Sequence, residues 1–253
     1  MKFYKIMGII AGVFLLMRII FIVLGIFLGG SINPKSFKNH NFSLFFNNLY
    51  TTEYTKIDNF EKIDIDINMG NIEIVFGKEY AIEYYLYSKN NTYTINDGKL
   101  TLSEKSSFGF RFDFFNLENA KVIIYVPKGK EIIDVNLHNN MGNVIIENQI
   151  IDTFVASTNM GNIKMKDVQI NSIKARANMG NVNISGYIKD TFVRSDMGNI
   201  EVTTYYNKNS YNYNINVDMR KTKINDTGGK YLDKVYKMDL YSDMGNCTLT
   251  FKD

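Results

Sequence analysis

The stretch Asn159-Met160-Gly161-Asn162 decides the fold, because the chain keeps returning to it. The triplet occurs as Met69-Gly70-Asn71, Met141-Gly142-Asn143, Met160-Gly161-Asn162, Met179-Gly180-Asn181, Met197-Gly198-Asn199 and Met244-Gly245-Asn246, with a degraded copy at Met219-Arg220-Lys221. From Met141 onward the spacings are 19, 19, 18, 22 and 25 residues. Self-similarity at this period is the signature of a solenoid, whose units bury an apolar face only by stacking on their neighbours.

Alignment on the methionines exposes a period of two. The residues six, four and two before each Met are mostly apolar or small, as in Ile63/Ile65/Ile67, Phe154/Ala156/Thr158 and Ile173/Ala175/Ala177, and those between them are mostly polar. That alternation is a strand with one buried face. After the triplet it resumes one residue out of step, at Ile72/Ile74, Val144/Ile146, Ile163/Met165, Val182/Ile184, Ile200/Val202 and Cys247/Leu249. A straight strand would turn these residues outward, since a one-residue slip swaps faces. The chain must therefore bend at the glycine, the residue that accepts positive φ at low cost. Each unit reads as strand, corner, strand and a short return side marked by Ile150, Ile170 and Ile188. Arg220, standing where the other copies have Gly, predicts a wider or irregular turn.

The fold class that follows is all-β, a single-stranded parallel β-helix, or β-solenoid, preceded by one transmembrane helix. Residues 1–30 read as a cytoplasmic tip and anchor, 31–57 as a juxtamembrane stalk, and 58–253 as the repeat domain, with irregular first coils over 58–130 and regular coils over 131–253. The anchor is the apolar run Ile6 to Leu28, long enough at about 1.5 Å per residue to cross a bilayer. No small-x-small cleavage site and no lipid-accepting cysteine follow it, so it reads as uncleaved. Lys2 and Lys5 precede it and favour an inside N-terminus, which puts the repeats outside the cytoplasm, although Lys35 and Lys38 weaken that bias. Arg18 inside the run fits either a polar contact with a membrane partner or a side chain that snorkels to one interface.

The stalk carries Phe42, Leu44, Phe45 and Phe46, which fit either contact with the membrane surface or packing against the first coil. Between the first two triplets, strand-like runs cover 80–87, 93–95, 100–102 and 122–126, and Asn96-Asp97-Gly98-Lys99 carries a hairpin signal. The aromatic segment from Ser106 to Leu117, with Phe108, Phe110, Phe112, Phe114 and Phe115, reads either as an exposed patch or as a flap protecting the solenoid's edge.

These features together (an anchor, polar-Gly-Asn-apolar corners about every twenty residues, a Val126-Pro127-Lys128-Gly129 lead-in) resemble the bacterial β-strand-repeat domains of unknown function labelled as candidate adhesins and related to head-GIN domains. The resemblance covers roughly residues 58–252. It implies a right-handed β-helix outside the cytoplasm in adhesion or envelope-stress settings, and it supplies no catalytic residues.

Chemistry is sparse. A net charge of +3 gives no basic field for nucleic acid. The single Cys247 falls on an inward column, and the two histidines, His40 and His138, lie in the stalk and on an outward strand position, so neither a metal pair nor a catalytic triad is spelled out. No cofactor is implied. One outward column stands out, namely Asn68, Asn140, Asn159 and Asn178 followed by Asp196, Asp218 and Asp243. Stacked asparagines would form an amide ladder. Stacked aspartates would either hold Ca²⁺ or splay into water and cap turns. Two functions remain: a non-enzymatic envelope protein whose flank binds a protein or wall polymer, and a carbohydrate-active β-helix enzyme using carboxylates near Arg176 and Arg194.

Overall fold

The computed structural model describes residues 50–86, 92–104, 120–225 and 236–252. The anchor, most of the stalk, His40 and the Ser106–Leu117 aromatic segment lie outside the described residues. Among the described residues no helix is long and apolar enough to cross a membrane.

The described residues form β1 (Tyr50–Lys56), β2 (Lys62–Met69), β3 (Asn71–Gly77), β4 (Ala81–Leu86), β5 (Tyr93–Asn96), β6 (Lys99–Ser103), β7 (Lys121–Pro127), β8 (Glu131–Met141), β9 (Val144–Glu147), β10 (Ile150–Met160), β11 (Ile163–Met179), β12 (Val182–Met197), β13 (Ile200–Thr204), β14 (Tyr211–Val217), β15 (Thr222–Asn225), β16 (Tyr236–Ser242) and β17 (Cys247–Phe251). The domain is all-β and solenoid-like. Its rungs pair in parallel and in register, so Met69 faces Met141, Met141 faces Met160, Met160 faces Met179 and Met179 faces Met197.

The predicted inward columns form the core. Ile65, Leu137, Ala156, Ala175, Val193 and Leu240 make one buried line, and Ile72, Val144, Ile163, Val182, Ile200 and Cys247 make another on the far side of the corner. Each fully buried aliphatic contributes about 1.5–3 kcal/mol, which is why stacking can hold units that have no core of their own. Burial pushes the Cys247 thiol up to about 12, so it is a core residue without thiolate character. On the return side the buried line is Ile132, Ile151, Ile170 and Ile188. Ile150, expected there, is only half-buried, and its neighbour Ile151 points inward instead.

The expected positive φ holds at some of the corner glycines, and a second demand acts at all the later ones. Only Gly70, Gly142 and Gly161 have φ in the left-handed half, at 125°, 138° and 155°. What all the later ones share is closeness. A Cβ on Gly142, Gly161, Gly180, Gly198 or Gly245 would lie 1.8–2.0 Å from the carbonyl oxygen of the glycine one rung back. The backbones stack so tightly at this corner that no side chain fits.

The rungs do not stack in chain order, contrary to the simple coiling predicted from the spacings. The last strand pair, β16–β17, inserts between β12–β13 and β14–β15. The Met219 copy therefore forms the outermost rung, where Ile224 is 41% exposed. Arg220 fits this placement: a residue with a Cβ needs its corner drawn away from the rung beneath, and an end rung, with no further rung stacked on it, is the one free to do so. At the opposite end β6 and β7 stack outside β2 and β3. There Ala120 accepts from the Asn71 N–H at 2.9 Å, and the Glu104 carboxylate takes the Asn68 N–H at 2.7 Å.

That end is extended by antiparallel strands: β4 lies between β7 and β1, and β5 pairs with β6. The β5–β6 hairpin is the one predicted from Asp97-Gly98, which have φ of 50° and 67°. β1 lies within the segment expected to be a juxtamembrane stalk, so residues 50–56 take part in the sheet as well. Its run of Thr and Tyr has strong β propensity, but as an edge strand it lacks a clean alternation of apolar residues.

The 18-residue spacing also has a local cause. Opposite β12, β11 carries a bulge between Met165 and Val168, with Asp167 at φ 53°. The next rung omits that residue and turns at Gly186, whose Cβ would lie 2.0 Å from the Val168 oxygen.

Candidate functional site

The surface beside the corner is built from ladders that run across the rungs. The predicted amide ladder is present: Asn140, Asn159 and Asn178 each donate Nδ2 to the Oδ1 of the asparagine one rung back, at 2.7–2.8 Å. A second ladder escaped the sequence reading. The asparagine that closes each triplet accepts, on its Oδ1, the backbone N–H of its counterpart on the next rung: Asn143 donates to Asn71 at 2.9 Å, Asn162 to Asn143 at 3.0 Å, Asn181 to Asn162 at 2.9 Å, Asn199 to Asn181 at 2.8 Å and Asn246 to Asn199 at 2.8 Å. Its signal was the recurrence of Asn itself at a position where any polar side chain would satisfy the alternation.

A third contact explains the small polar residues two positions before the Met. The side chains of Asn139, Thr158, Ser195 and Ser242 donate to the carbonyl of the corner glycine one rung back, over 2.7–3.4 Å. Ala177 holds the same place facing Gly161 and has no donor. Ala177→Ser is expected to stabilise the domain by about 0.5–1.5 kcal/mol, seen as a higher urea midpoint. A lower midpoint would mean that the site has no room for the hydroxyl.

The aspartate column does not form a cation cage. In spatial order it runs Asp196, Asp243, Asp218, and arginines interleave its first two members. Arg194 spans them, with Nε 2.8 Å from Asp196 Oδ1 and Nη2 3.0 Å from Asp243 Oδ2, and Arg176 Nη2 lies 3.2 Å from Asp196 Oδ2. The Arg194 and Arg176 guanidinium groups hold the Asp196 carboxyl below the usual carboxylate range, against the opposing effect of its partial burial. Asp218 is exposed on the outermost rung. Both Asp196 oxygens that a cation would need are thus occupied. Among the described residues no three His, Cys, Asp or Glu side chains converge as a metal site. The cause was visible: Arg176 and Arg194 stand two residues before Asn178 and Asp196, on the same strand face. His138 is half-buried rather than fully solvated, its Nδ1 2.7 Å from Ser157 Oγ on the next rung.

On the return side an open groove of ≈ 430 Å³ is lined by Tyr187, Tyr206, Gln169, Asn171, Lys189 and Glu131, among others. Its tyrosines form an edge-to-face cluster, with Tyr187 ring centroids 5.4 Å from those of Tyr205 and Tyr206. Tyr187 remains 47% exposed. A second groove of ≈ 300 Å³ is lined by Tyr213, Tyr236, Lys237 and Asp239, with Lys237 and Asp239 paired at 2.9 Å. Among the described residues, the first groove is lined by one carboxylate, Glu131, and the second by one, Asp239.

Several solved structures are similar in fold. A candidate cell adhesion protein from Clostridium sporogenes is 13% identical, with 81% of this chain and 100% of that chain covered at a TM-score of 0.38. A candidate adhesin from Bacteroides fragilis is 15% identical, covering 81% and 97% at 0.32, and a candidate lipid binding protein from Parabacteroides distasonis is 14% identical, covering 79% and 96% at 0.36. No curated protein matches the chain. The family model Toastrack DUF4097, a domain of unknown function, matches residues 60–232, and the chain belongs to that family.

Proposed function

We propose that the protein is a non-enzymatic binder of the cell envelope, anchored by its apolar run 6–28, whose repeat domain stands outside the cytoplasm and holds a wall polymer along its return side. The observation that carries this reading is the groove across rungs that presents Tyr187 and Tyr206 beside the Gln169 and Asn171 amides. Tyrosine ring faces offer apolar platforms to the C–H faces of sugar rings, and amides match their hydroxyls. The groove is shallow and unwalled, which suits a long polymer better than a small substrate that must be enclosed. Glu131 is the one carboxylate among the described residues lining the groove, where cleavage of a glycosidic bond uses a pair.

Purified full chain is expected to co-sediment with insoluble wall polysaccharide. Tyr187→Ala combined with Tyr206→Ala should weaken that binding at least about tenfold. Equal binding by the double variant would remove the groove from the account. Protease added to intact cells is expected to digest the repeat domain, and full protection would contradict its outward placement.

A further inference from the structure

Seven of the twelve methionines occupy one position, the residue before the corner glycine or its substitute. Chain alternation and tight stacking put them side by side on the surface. Met69, Met141, Met160, Met179 and Met197 are direct register partners, and the Met244 N–H donates to the Asp196 carbonyl at 3.1 Å, which places it beside Met197. Met160, Met179, Met197 and Met244 are 43–46% exposed. The result is a row of thioethers at the rung spacing, about 4.8 Å.

Folding does not account for the row. The glycine is demanded by the close approach of backbones and the asparagine by its ladder, but the methionine meets neither need. The degraded copy separates these roles: Met219-Arg220-Lys221 has lost the glycine and the asparagine and has kept the methionine, 75% exposed. An unbranched residue is also a weaker choice for a strand than a β-branched one.

We infer that this row is a binding site for a soft monovalent d¹⁰ cation, Cu(I) or its analogue Ag(I), held between thioethers of neighbouring rungs. Thioether sulfur selects Cu(I) over hard cations. A metal–sulfur bond is about 2.3 Å, so two sulfurs flanking one ion lie about 4.6 Å apart, which matches the rung spacing without backbone movement. Three rotatable bonds let each side chain adjust. The nearby carboxylates do not compete for a hard cation, because Arg176 and Arg194 hold Asp196, and Arg194 also holds Asp243. The one thiol, Cys247, is fully buried and outside the row. Binding changes no oxidation state and releases no proton from a thioether.

The test uses purified full chain and the Cu(I)–bicinchoninate complex under anaerobic reducing conditions. The chain is expected to withdraw Cu(I) from the coloured complex. In protein carrying ¹³C-methyl methionine, the signals of Met160, Met179 and Met197 should shift while those of buried Met165 and Met238 stay in place. The Met160→Leu/Met179→Leu/Met197→Leu variant keeps the apolar volume and lacks the sulfurs, and its affinity should fall at least about 10–100-fold. Unmoved methyl signals, or equal Cu(I) uptake by the triple-leucine variant, would overturn the assignment.

Discussion

Replacing Gly180 with alanine is expected to destabilise the repeat domain by more than about 4 kcal/mol, enough to unfold its central rungs. Gly180 does not lie among the left-handed glycines, so alanine can adopt its backbone conformation without strain. The penalty is purely spatial. The new Cβ would meet the Gly161 oxygen at 1.9 Å and the Gly161 carbonyl carbon at 2.6 Å, and both are backbone atoms. Relief requires the Met160 and Met179 rungs to part. That would stretch the Gly161 N–H to Met179 carbonyl bond, 3.0 Å long, and the ladders on both sides of it. Gly98→Ala is the contrasting control: at φ 67° with nothing within 4 Å of a built Cβ, it should cost only about 1–2 kcal/mol. Urea unfolding followed by far-ultraviolet circular dichroism compares the two. Equal losses would show that turn conformation, rather than rung contact, is why the corners carry glycine.

Asn162→Ala should lower stability by about 1–3 kcal/mol. Asn162 accepts the Asn181 N–H at 2.9 Å, and its own N–H and Nδ2 both donate to Asn143 Oδ1 at 3.0 Å. Alanine leaves the Asn181 backbone N–H without its acceptor and also removes the Nδ2 bond to Asn143, two bonds at about 0.5–1.5 kcal/mol each. Asn178→Ala, in the outer ladder, breaks only bonds between side chains, to Asn159 and Arg176, and leaves no backbone group without its partner. It should cost less than about 1 kcal/mol. The same unfolding measurement separates them. A loss at Asn178 as large as that at Asn162 would mean that the ladder on the backbone is no more important than the one on the surface.

The parts of the fold legible beforehand are those governed by period and face. Strict alternation on either side of Gly161 placed Phe154, Ala156, Ile163 and Met165 inside, and all four are buried. The hairpin at Asp97-Gly98 was legible because its turn chemistry is local. Stacking order was not, since the rungs at 211–225 and 236–251 carry equivalent alternating patterns and either could pack on β12. What distinguishes them is Arg220 against Gly245, and that difference acquires meaning only once the corner is known to bring glycine oxygens within 2.0 Å of a built Cβ. Neither reading of the Asp196–Asp243 column included its ion pairs, for a related reason. The column was followed along one position of the repeat, and the arginines that neutralise it come from the column two residues earlier. β1 went unread because both faces of Tyr50–Lys56 are polar or aromatic, so period carried no signal.

Paired cysteines test the stacking most directly. Glu201 and Thr248 face each other on β13 and β17, and Thr248 in turn faces Lys223 on β15. One rung step of about 4.8 Å lies within disulfide range, and two steps do not. Glu201→Cys/Thr248→Cys is therefore predicted to form an intrachain disulfide on mild oxidation, and Glu201→Cys/Lys223→Cys to remain reduced. A bond in the second pair and none in the first would contradict the in-register stack with its last rung inserted.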